Sequence, residues 1–432
     1  MAVRHEEDGQ FIAKLSVHLI QHWHRDGLQL TMCSNDLRFA IHDLRIVVDW
    51  VQLQLIAGVE EEQRRQQWVL QFGALEKNLE RRRSRHVVPQ NRATDSNEKS
   101  SRILARDESF NCRAAHWSDL HGLLYRYLPS DVFRWGHQFL SFHTCHDKAS
   151  VAVQTKVLQT DQVVEIHGDL LVAADGCLSA IRRHFLPDLK LRYSGYVAWR
   201  GVHDFSENEN SDTIAGLRRV YPDLGRCLHF DLATQTHIVL YELVNKRINW
   251  IWYINHPEPE LKGNSVTMKV SNDMIKKLQE EAEVVWVPEL AKVIKETKEP
   301  FLNVIYDSQP LQQLFWDNVV LVGDAAHPTT PHGVRSTNMS MVDAGALGQC
   351  LERWGLENLN SALKEYQSIR LPVVSKQVLH SRRMGRIKQG FELDDGKVFD
   401  PLTAGPEECE ELQQRKMPFF GNAYLFVSNL LG

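Results

Sequence analysis

The sequence contains no apolar run that approaches the roughly 18 residues of a membrane span. It also lacks an extended basic stripe, and its 432 residues carry a formal net charge of −5, which argues against a dedicated nucleic-acid binder. The first ten residues are polar, so we expect no secretory signal. Seven cysteines, odd in number and scattered, indicate reduced thiols and therefore a cytoplasmic protein.

The remaining composition is that of an ordinary globular protein. Apolar residues make up 43% of the chain and charged residues 24%, and the length predicts two or three domains with a large core. We find no internal repeat. Histidine and cysteine crowd together in "HTCH" at 143–146, but without the spacing of a zinc finger, so we expect no metal site.

The most informative stretch is "DNVVLVGDAAHPTTPHGVRSTN" at 317–338. The short β-branched run from Val319 to Val322 predicts a buried strand, which Gly323 and Asp324 end. Apolar residues then recur at helical spacing from about Ser336, and a glycine at 355 provides a stop. A buried strand, an acidic turn and a helix in succession are typical of sites that hold a charged small molecule.

A second acidic turn has the same layout. In "GDLLVAADGCLSAIRRHFLP" at 168–187, a buried strand from Leu170 to Ala174 precedes the turn Asp175-Gly176 and a short helix. A lone Asp-Gly turn is usually only structural. Two strand–Asp–helix units in one chain are more specific than either alone.

An antiparallel sheet is predicted between the two acidic turns. Apolar side chains alternate along "INWIWYIN" at 248–255, and the strand pattern "IVLYEL" lies just upstream across a short turn. If both turns serve one ligand, this region must be inserted into the α/β layer. We therefore expect residues 105–187 and 306–375 to converge.

Together these segments resemble the FAD-dependent aromatic hydroxylases, which have the para-hydroxybenzoate hydroxylase fold. The members most similar in appearance are those like 2,6-dihydroxypyridine 3-hydroxylase. The hallmark "ADGxxSxxR" is represented by Ala174, Asp175, Gly176, Ser179 and Arg182. The hallmark "GDAAHPxxPxxG" is represented by Gly323, Asp324, Ala325, Ala326, His327, Pro328, Pro331 and Gly333, followed by Asn338.

The resemblance implies an α/β FAD- and NAD(P)-binding layer with an inserted, mainly antiparallel β substrate domain. The segments expected on this basis are an atypical N-terminal region that is helical or disordered (1–90), a first FAD-binding part (91–187), the substrate sheet (188–305), a second FAD-binding part (306–390) and a C-terminal tail (391–432).

The resemblance also implies an activity. The chain is expected to be an oxidoreductase, specifically a flavoprotein monooxygenase that uses FAD, NADPH or NADH, and O₂. Its substrate is expected to be a small aromatic or N-heterocyclic molecule. Because one fold hosts several reactions, a flavin epoxidase of the same fold is an alternative.

The family motifs assign a set of cofactor-binding residues. Asp324 is expected to accept hydrogen bonds from the ribitol hydroxyls, and Asp175 to lie near the pyrophosphate. The helix that starts after Gly333 places its N-terminal dipole beside the ring edge. The full expected set is Arg113, Asp175, Gly176, Arg182, Gly323, Asp324, Pro331, Gly333, Ser336 and Asn338.

Four further residues are expected at the reaction itself. His332 is the candidate for activating the substrate, because imidazole titrates near neutrality; the alternative is a hydrogen-bonded structural histidine. Arg200 either binds an anionic substrate or pairs with a carboxylate. Tyr241 and Trp252 are expected to exclude water near the substrate, or else to be core aromatics.

One family feature is absent from the sequence. No GxGxxG occurs anywhere in the chain, although that loop lets the backbone approach a pyrophosphate. The family's FAD-contacting arginine is also replaced, by Trp117, so Arg113 is either its substitute or a solvated helix-end residue. These departures favour a second hypothesis, a flavin-deficient homologue that acts as a non-catalytic binding protein.

Overall fold

The structure is a computed structural model of the chain. It describes residues 30–33, 85–108, 110, 112–116, 121–122, 125, 133–145, 150–261 and 265–413.

Sixteen strands lie in the part of the chain that the structure describes. In chain order they are β1 (Leu30–Cys33), β2 (Arg85–Asp95), β3 (Ser100–Arg106), β4 (Cys112–Ala115), β5 (His137–Thr144), β6 (Val151–Val157), β7 (Val163–Gly168), β8 (Leu171–Ala173), β9 (Arg192–Asp204), β10 (Cys227–Ala233), β11 (Thr236–Leu243), β12 (Arg247–Asn255), β13 (Thr267–Met268), β14 (Phe301–Asp307), β15 (Phe315–Trp316) and β16 (Val319–Leu321).

The α-helices in the described ranges are α1 (Ala180–Phe185), α2 (Asp212–Val220), α3 (Asn272–Val285), α4 (Pro288–Glu296), α5 (Ser336–Trp354), α6 (Leu359–Lys388) and α7 (Pro406–Glu410). Three short 3₁₀ turns, Gly323–Ala325, Pro331–Gly333 and Leu356–Asn358, flank α5. None of the described helices is both long enough and apolar enough to cross a bilayer.

The largest sheet contains ten strands in the order β1-β4-β2-β10-β11-β12-β9-β14-β13, with β3 paired to β2. The predicted antiparallel pair is confirmed as β11 and β12, in which Tyr241 lies opposite Asn249. Because side chains alternate along a strand, Trp250 and Trp252 point to one face of this sheet and Tyr253 to the other. The two faces therefore have different neighbours.

Helices cover the tryptophan face. Trp250 and Trp252 pack there against α3, α4 and Trp286 in one apolar cluster. The opposite face, which we call the inner face, carries Tyr196, Tyr241 and Tyr253 and packs against the C-terminal half of α6. Burial of apolar surface on both faces fixes the register of the central strands.

A second, smaller sheet joins the two parts of the α/β layer. Strand β16 pairs in parallel with β8, with Val319 opposite Leu171 and Leu321 opposite Ala173. Since the ends of parallel neighbours lie at the same sheet edge, the turns after the two strands are adjacent. The predicted convergence of the two α/β segments is confirmed.

The third described sheet, β5-β6-β7, is an antiparallel meander that leads into β8. Its second and third strands have the sequences "VAVQTKV" and "VVEIHG". Before this sheet, residues 121–122 and 125 are helical.

Strands occur in the described part of the first ninety residues. β1 pairs with β4, and β2 enters the large sheet beside β10, which it meets in parallel. Most of the N-terminal region expected to be helical or disordered lies outside the described residues. Residues 414–432 of the expected tail also fall outside them.

Candidate functional site

The two acidic turns are held together by Arg182. This arginine is 2% exposed, and its Nη1 donates to the backbone oxygens of Asp324, at 3.1 Å, and of Ala325, at 2.8 Å. Its Nη2 donates to the backbone oxygen of Cys177. The structure therefore gives Arg182, one of the expected cofactor ligands, the role of a brace between the turns.

One carboxylate oxygen of Asp175 caps helix α1. Its Oδ2 accepts from the backbone N–H groups of Ala180, at 2.7 Å, and Ile181, at 3.2 Å, which are free donors at the start of α1. Ser179 provides a second cap, because its Oγ accepts from the N–H of Arg182 at 2.9 Å. The other oxygen of Asp175, Oδ1, is buried without a hydrogen-bond partner among the described residues.

Asp324 lies in the 3₁₀ turn that follows β16. The turn starts at Gly323 with φ +59°, a left-handed conformation that favours glycine, and an added Cβ there would lie 2.9 Å from Ser340 Oγ. Burial raises the pKa of Asp324, although the positive charges of His327 and Arg182 oppose that shift. Within the described chain no donor is bonded to this carboxylate, so it is free to accept hydrogen bonds from a ligand.

A buried ionic network stabilises the turn that contains Asp324. Asp343 Oδ2 accepts from His327 Nε2 at 2.6 Å and from the N–H of Gly323 at 2.8 Å, and its Oδ1 accepts from Arg370 Nε at 2.8 Å. Burial alone would raise the pKa of Asp343, but His327 and Arg370 hold it below its ordinary value. This network leaves His327 with a structural role, as its position in the turn suggests.

The segment between the turn and α5 is held in an unusual conformation. Gly333 lies so close to α6 that an added Cβ would overlap the side chains of Gln377 and Ser381. Val334 then adopts φ +50° and ψ 28°, which is strained for a β-branched residue. The N-cap of α5, Arg335, makes no side-chain cap, so the first N–H groups of that 19-residue helix lack this usual partner.

One pocket lies between these elements, and both acidic turns contribute to it. Its lining residues are Asp175, Gly176, Cys177, Leu178, Arg200, Ser265, Val266, Thr267, Asn303, Val304, Ile305, Tyr306, Asp324, Thr329, Pro331 and Ser336. Six of the expected site residues thus meet at this pocket: Asp175, Gly176, Asp324, Pro331, Ser336 and Arg200.

His332 lies next to the pocket, beneath Pro331, and does not line it. Its Nδ1 is 3.2 Å from the hydroxyl of Tyr196, and its ring packs against Tyr253 and His237. Burial lowers the pKa of His332 well below its ordinary value, and nearby positive groups lower it further. The imidazole is therefore neutral at neutral pH, and its surroundings disfavour protonation.

The two expected substrate aromatics lie on opposite faces of the large sheet. Tyr241 is on the inner face, which is also the face of Arg200. Trp252 is on the helix-covered face, where it packs edge-on against Trp286 and donates from Nε1 to Thr236 Oγ1 at 2.8 Å. The structure therefore separates Trp252 from the pocket and gives it the environment of a core residue.

Arg113 lies in a strand and not in the secondary structure expected for it. It lies in strand β4, where its backbone pairs with His86 and with Met32, so its expected placement at a helix end is wrong. Asn338 and Gly333 are buried next to the pocket without lining it.

Several residues that line the pocket could not have been assigned to it from the sequence alone. Asn303 and Tyr306 come from β14, and the short segment 265–267 comes from the far edge of the large sheet. Cys177 is the exception, because it follows Asp175-Gly176 directly. Burial raises the pKa of its thiol to about 12, so it is not a nucleophile at neutral pH.

Comparisons with known sequences agree with this geometry. Residues 299–381, which include the turn, all of α5 and most of α6, match the family described as FAD binding domain. The chain is 31% identical over 230 residues to an aurachin C monooxygenase/isomerase from Stigmatella aurantiaca, covering 52% of this chain and 53% of that protein. It is 26% identical over 266 residues to a 6-hydroxynicotinate 3-monooxygenase from Pseudomonas fluorescens, covering 60% and 62%. The chain thus spans about half to three fifths of the length of these relatives.

Solved structures share the fold. The 2,6-dihydroxypyridine-3-hydroxylase from Arthrobacter nicotinovorans superposes with a TM-score of 0.62 at 17% identity, covering 86% of this chain and 87% of that one. Klebsiella pneumoniae HpxO, solved with FAD and uric acid, gives a TM-score of 0.59 at 19% identity, covering 90% and 87%. The resemblance read from the two motifs and the expected fold are confirmed.

Proposed function

We infer that this chain, a relative of the FAD-dependent aromatic hydroxylases, is itself a monooxygenase that hydroxylates a small aromatic or N-heterocyclic molecule with FAD, NADPH or NADH, and O₂. The observation that carries this inference is the meeting of Asp175, Asp324, the start of α5 and Arg200 at one pocket. Such a constellation places acceptors for ligand hydroxyls, a helix N-terminus and a cation around one ligand.

The residues present fit the ribitol and ring end of FAD. Asp324 has an unengaged carboxylate that can accept hydrogen bonds from ribitol hydroxyls, and Asp175 offers its buried Oδ1. The uncapped N–H groups and positive dipole end of α5 favour negative charge on a reduced ring edge. When bound, FAD supplies the activation of O₂, and the protein supplies binding, orientation and exclusion of water.

The protein's own groups then handle substrate and protons. We propose that Arg200 orients the substrate, because it lines the pocket and forms no ion pair with a described residue. We propose that His332 helps to activate the substrate as a neutral hydrogen-bonding group, since its imidazole is buried next to Pro331 and close to the Tyr196 hydroxyl. Val304 and Ile305 contribute apolar lining that limits water.

A second candidate function is supported by a specific observation. The chain has no GxGxxG, so no glycine loop of that kind is present to bring the backbone against the FAD pyrophosphate. A homologue that binds a small aromatic molecule without flavin turnover is consistent with this absence. An epoxidase of the same fold would use the same pocket with other chemistry.

We also propose a cytosolic location. The support is the presence of five free cysteines in the described ranges, namely Cys145, Cys177, Cys227, Cys350 and Cys409, which suit a reducing compartment.

The absorption spectrum of the purified full chain tests the flavin, and turnover tests the reaction. We expect oxidised flavin to co-purify or to bind on addition of FAD. NADPH or NADH oxidation should then increase when an aromatic acid such as 6-hydroxynicotinate is added. Mass spectrometry should detect incorporation of one labelled oxygen atom from ¹⁸O₂ into a product.

Asp324→Asn is the informative variant, with Asp188→Asn, at an exposed turn, as its matched control. The first should lose flavin and turnover, whereas the second should retain both. Binding of aromatic acids without flavin or turnover in the unaltered protein would favour the second candidate.

A further inference from the structure

A buried asparagine lies where the edge of the large sheet meets the pocket. Asn303, on β14, is 3% exposed and lines the pocket. It lies opposite Ala198 of β9, whose side chain belongs to the inner face. Because residues that lie opposite each other share a face of the sheet, the side chain of Asn303 is on the inner face as well. The sheet therefore contributes a primary amide to the pocket.

The orientation of this amide is fixed by the neighbouring edge strand. Asn303 pairs with Thr267 of β13, and its Nδ2 donates to Thr267 Oγ1 at 2.7 Å. The strand that carries Thr267 is itself held, because the N–H of Val304 donates to the backbone oxygen of Val266 at 2.8 Å. The N–H of Thr267 also donates to Ser265 Oγ at 3.0 Å. With the amide nitrogen engaged by the edge strand, the amide oxygen is left for another partner.

The amide oxygen has no such partner in the described part of the chain. Asn303 Oδ1 is buried, and none of the described donors is bonded to it. A buried acceptor without a donor is unfavourable unless water or a ligand supplies one. Asn303 therefore offers a ligand of the pocket one hydrogen-bond acceptor at a fixed position.

Arg200 has the opposite hydrogen-bonding character on the same face. It lies two residues along β9 from Ala198, the residue opposite Asn303, so Arg200 and Asn303 are diagonal neighbours. Diagonal neighbours on a sheet are about 7–8 Å apart, within the reach of a long side chain. Both residues line the pocket, and Arg200 Nε is buried without a partner among the described residues. One ligand can therefore meet a donor from Arg200 and an acceptor from Asn303.

We propose that Asn303 is a specificity-determining residue whose Oδ1 accepts a hydrogen bond from a ring N–H of the substrate, while Arg200 donates to the adjacent carbonyl oxygen. The ligand class is a neutral cyclic amide, an N-heterocycle in which N–H and C=O are neighbours. A carboxylate brings acceptors and no donor, so it leaves Asn303 Oδ1 unsatisfied. This proposal rests on the proposed function for its choice of a ring substrate.

Equilibrium binding to the full chain, measured by calorimetry with and without added FAD, tests the proposal. The probes are 2-quinolone, 1-methyl-2-quinolone, which lacks the ring N–H, and 3-methyl-2-quinolone, which has an added methyl group and keeps the N–H. We expect the 1-methyl compound to bind about ten- to a hundredfold more weakly than the other two, because it leaves a buried acceptor unpaired. Quinoline-2-carboxylate should also bind more weakly than 2-quinolone.

Two variants of Asn303 separate the acceptor from the shape of the pocket. Asn303→Leu removes the acceptor and should reduce the preference for 2-quinolone over its 1-methyl derivative to less than about threefold. Asn303→Asp keeps an acceptor and should retain that preference. Asn249→Leu is the matched control, because Asn249 is also a buried asparagine of the inner face but does not line the pocket. It should leave the preference unchanged.

Several outcomes would overturn the proposal. They are the absence of binding by all three quinolones, equal affinity for 2-quinolone and its 1-methyl derivative, and tighter binding of the carboxylate. A preference that persists in Asn303→Leu would also overturn it. If that variant does not fold, loss of the preference in folded Asn303→Asp would have the same force. Asn303-dependent selectivity in a protein that binds no flavin would support this proposal and refute only the proposed function.

Discussion

At the scale of single residues, the site depends on three aspartates whose carboxylates have different hydrogen-bond partners. Asp175 caps a helix with one oxygen, Asp324 leaves its carboxylate for a ligand, and Asp343 is enclosed by Arg370 and His327. The last of these is the most tightly coupled to stability, because it is fully buried between two basic groups and also accepts the N–H of the glycine that starts the acidic turn.

Replacing Asp343 by Asn should destabilise the protein strongly. The change leaves Arg370 as a buried cation without its partner, and breaking a buried pair from one side costs about 3–5 kcal/mol. Urea denaturation measures the free energy of unfolding. Asp188→Asn, at an exposed turn, is the control and should change it by less than about 0.5 kcal/mol. A small effect at Asp343 would contradict the view that this network supports the turn.

Lys388 should make stability depend on pH in a recognisable way. Burial lowers its pKa to about 7 from an ordinary 10.5. Between these values the unfolded chain binds a proton that the folded chain has released, so stability rises with pH by up to about 1.4 kcal/mol per unit. Below pH 7 both states are protonated, and the penalty for burying the charge is fully present.

The difference between wild type and Lys388→Met isolates this contribution. At pH 7 the variant should be the more stable protein, and its advantage should shrink steadily in urea titrations at pH 8 and 9. Lys397→Met, at an exposed position, is the control and should retain the pH dependence of the wild type. If the free energy of unfolding of the wild type and of Lys388→Met changed in parallel with pH, the pKa of Lys388 would not be lowered by burial.

At the scale of secondary-structure elements, the placement of α5 depends on the close approach of α6 to the turn before it. Gly333 permits that approach, because any side chain there would overlap Gln377 and Ser381. The 3₁₀ turn Pro331–Gly333 and the strained Val334 then direct the N-terminus of α5 toward the pocket.

Gly333→Ala should therefore displace α5 from α6. Overpacking of this kind costs about 1–3 kcal/mol, and the pocket should lose affinity for flavin as its helix N-terminus moves. Gly405→Ala is the control, since its nearest neighbour would be 3.8 Å from an added Cβ at φ −80°. Thermal unfolding and flavin titration of both variants measure the two effects. Wild-type behaviour of Gly333→Ala would show that the contact is not tight.

The elements that the sequence predicts well are those with a short-range physical signal. Strand β16, the acidic turn and α5 follow from a β-branched run, a Gly-Asp break and a helical period. The alternation in β12 likewise predicts an antiparallel strand. These features need no knowledge of distant residues.

The face of a fully buried strand is harder to predict. Both faces of β12 are apolar, so periodicity does not tell which face meets the pocket, and Trp252 lies on the helix side. The roles of Arg182 and Lys388 are also hard to predict. Each side chain contacts a residue more than a hundred positions away in sequence: Arg182 contacts Ala325, and Lys388 contacts Phe230. Such information exists only after the chain has folded.

At the scale of the whole molecule, two segments of the α/β layer meet although an entire antiparallel region separates them in sequence. The parallel pairing of β8 with β16 makes this junction, and Arg182 secures it. One consequence concerns the cofactor. The contacts proposed for the ribitol and ring use described residues, whereas the sequence has no GxGxxG loop for the pyrophosphate.

The most direct test of the flavin pocket is a titration of the full chain with FAD and with FMN, followed by flavin fluorescence. We expect both flavins to bind with dissociation constants within about tenfold of each other, because the recognised part is common to both. Asp324→Asn should weaken both by about ten- to a hundredfold, the range for one hydrogen bond to a charged group. Tight binding of FAD with strong rejection of FMN, unaffected by Asp324→Asn, would contradict this account and place flavin recognition outside the pocket between the two acidic turns.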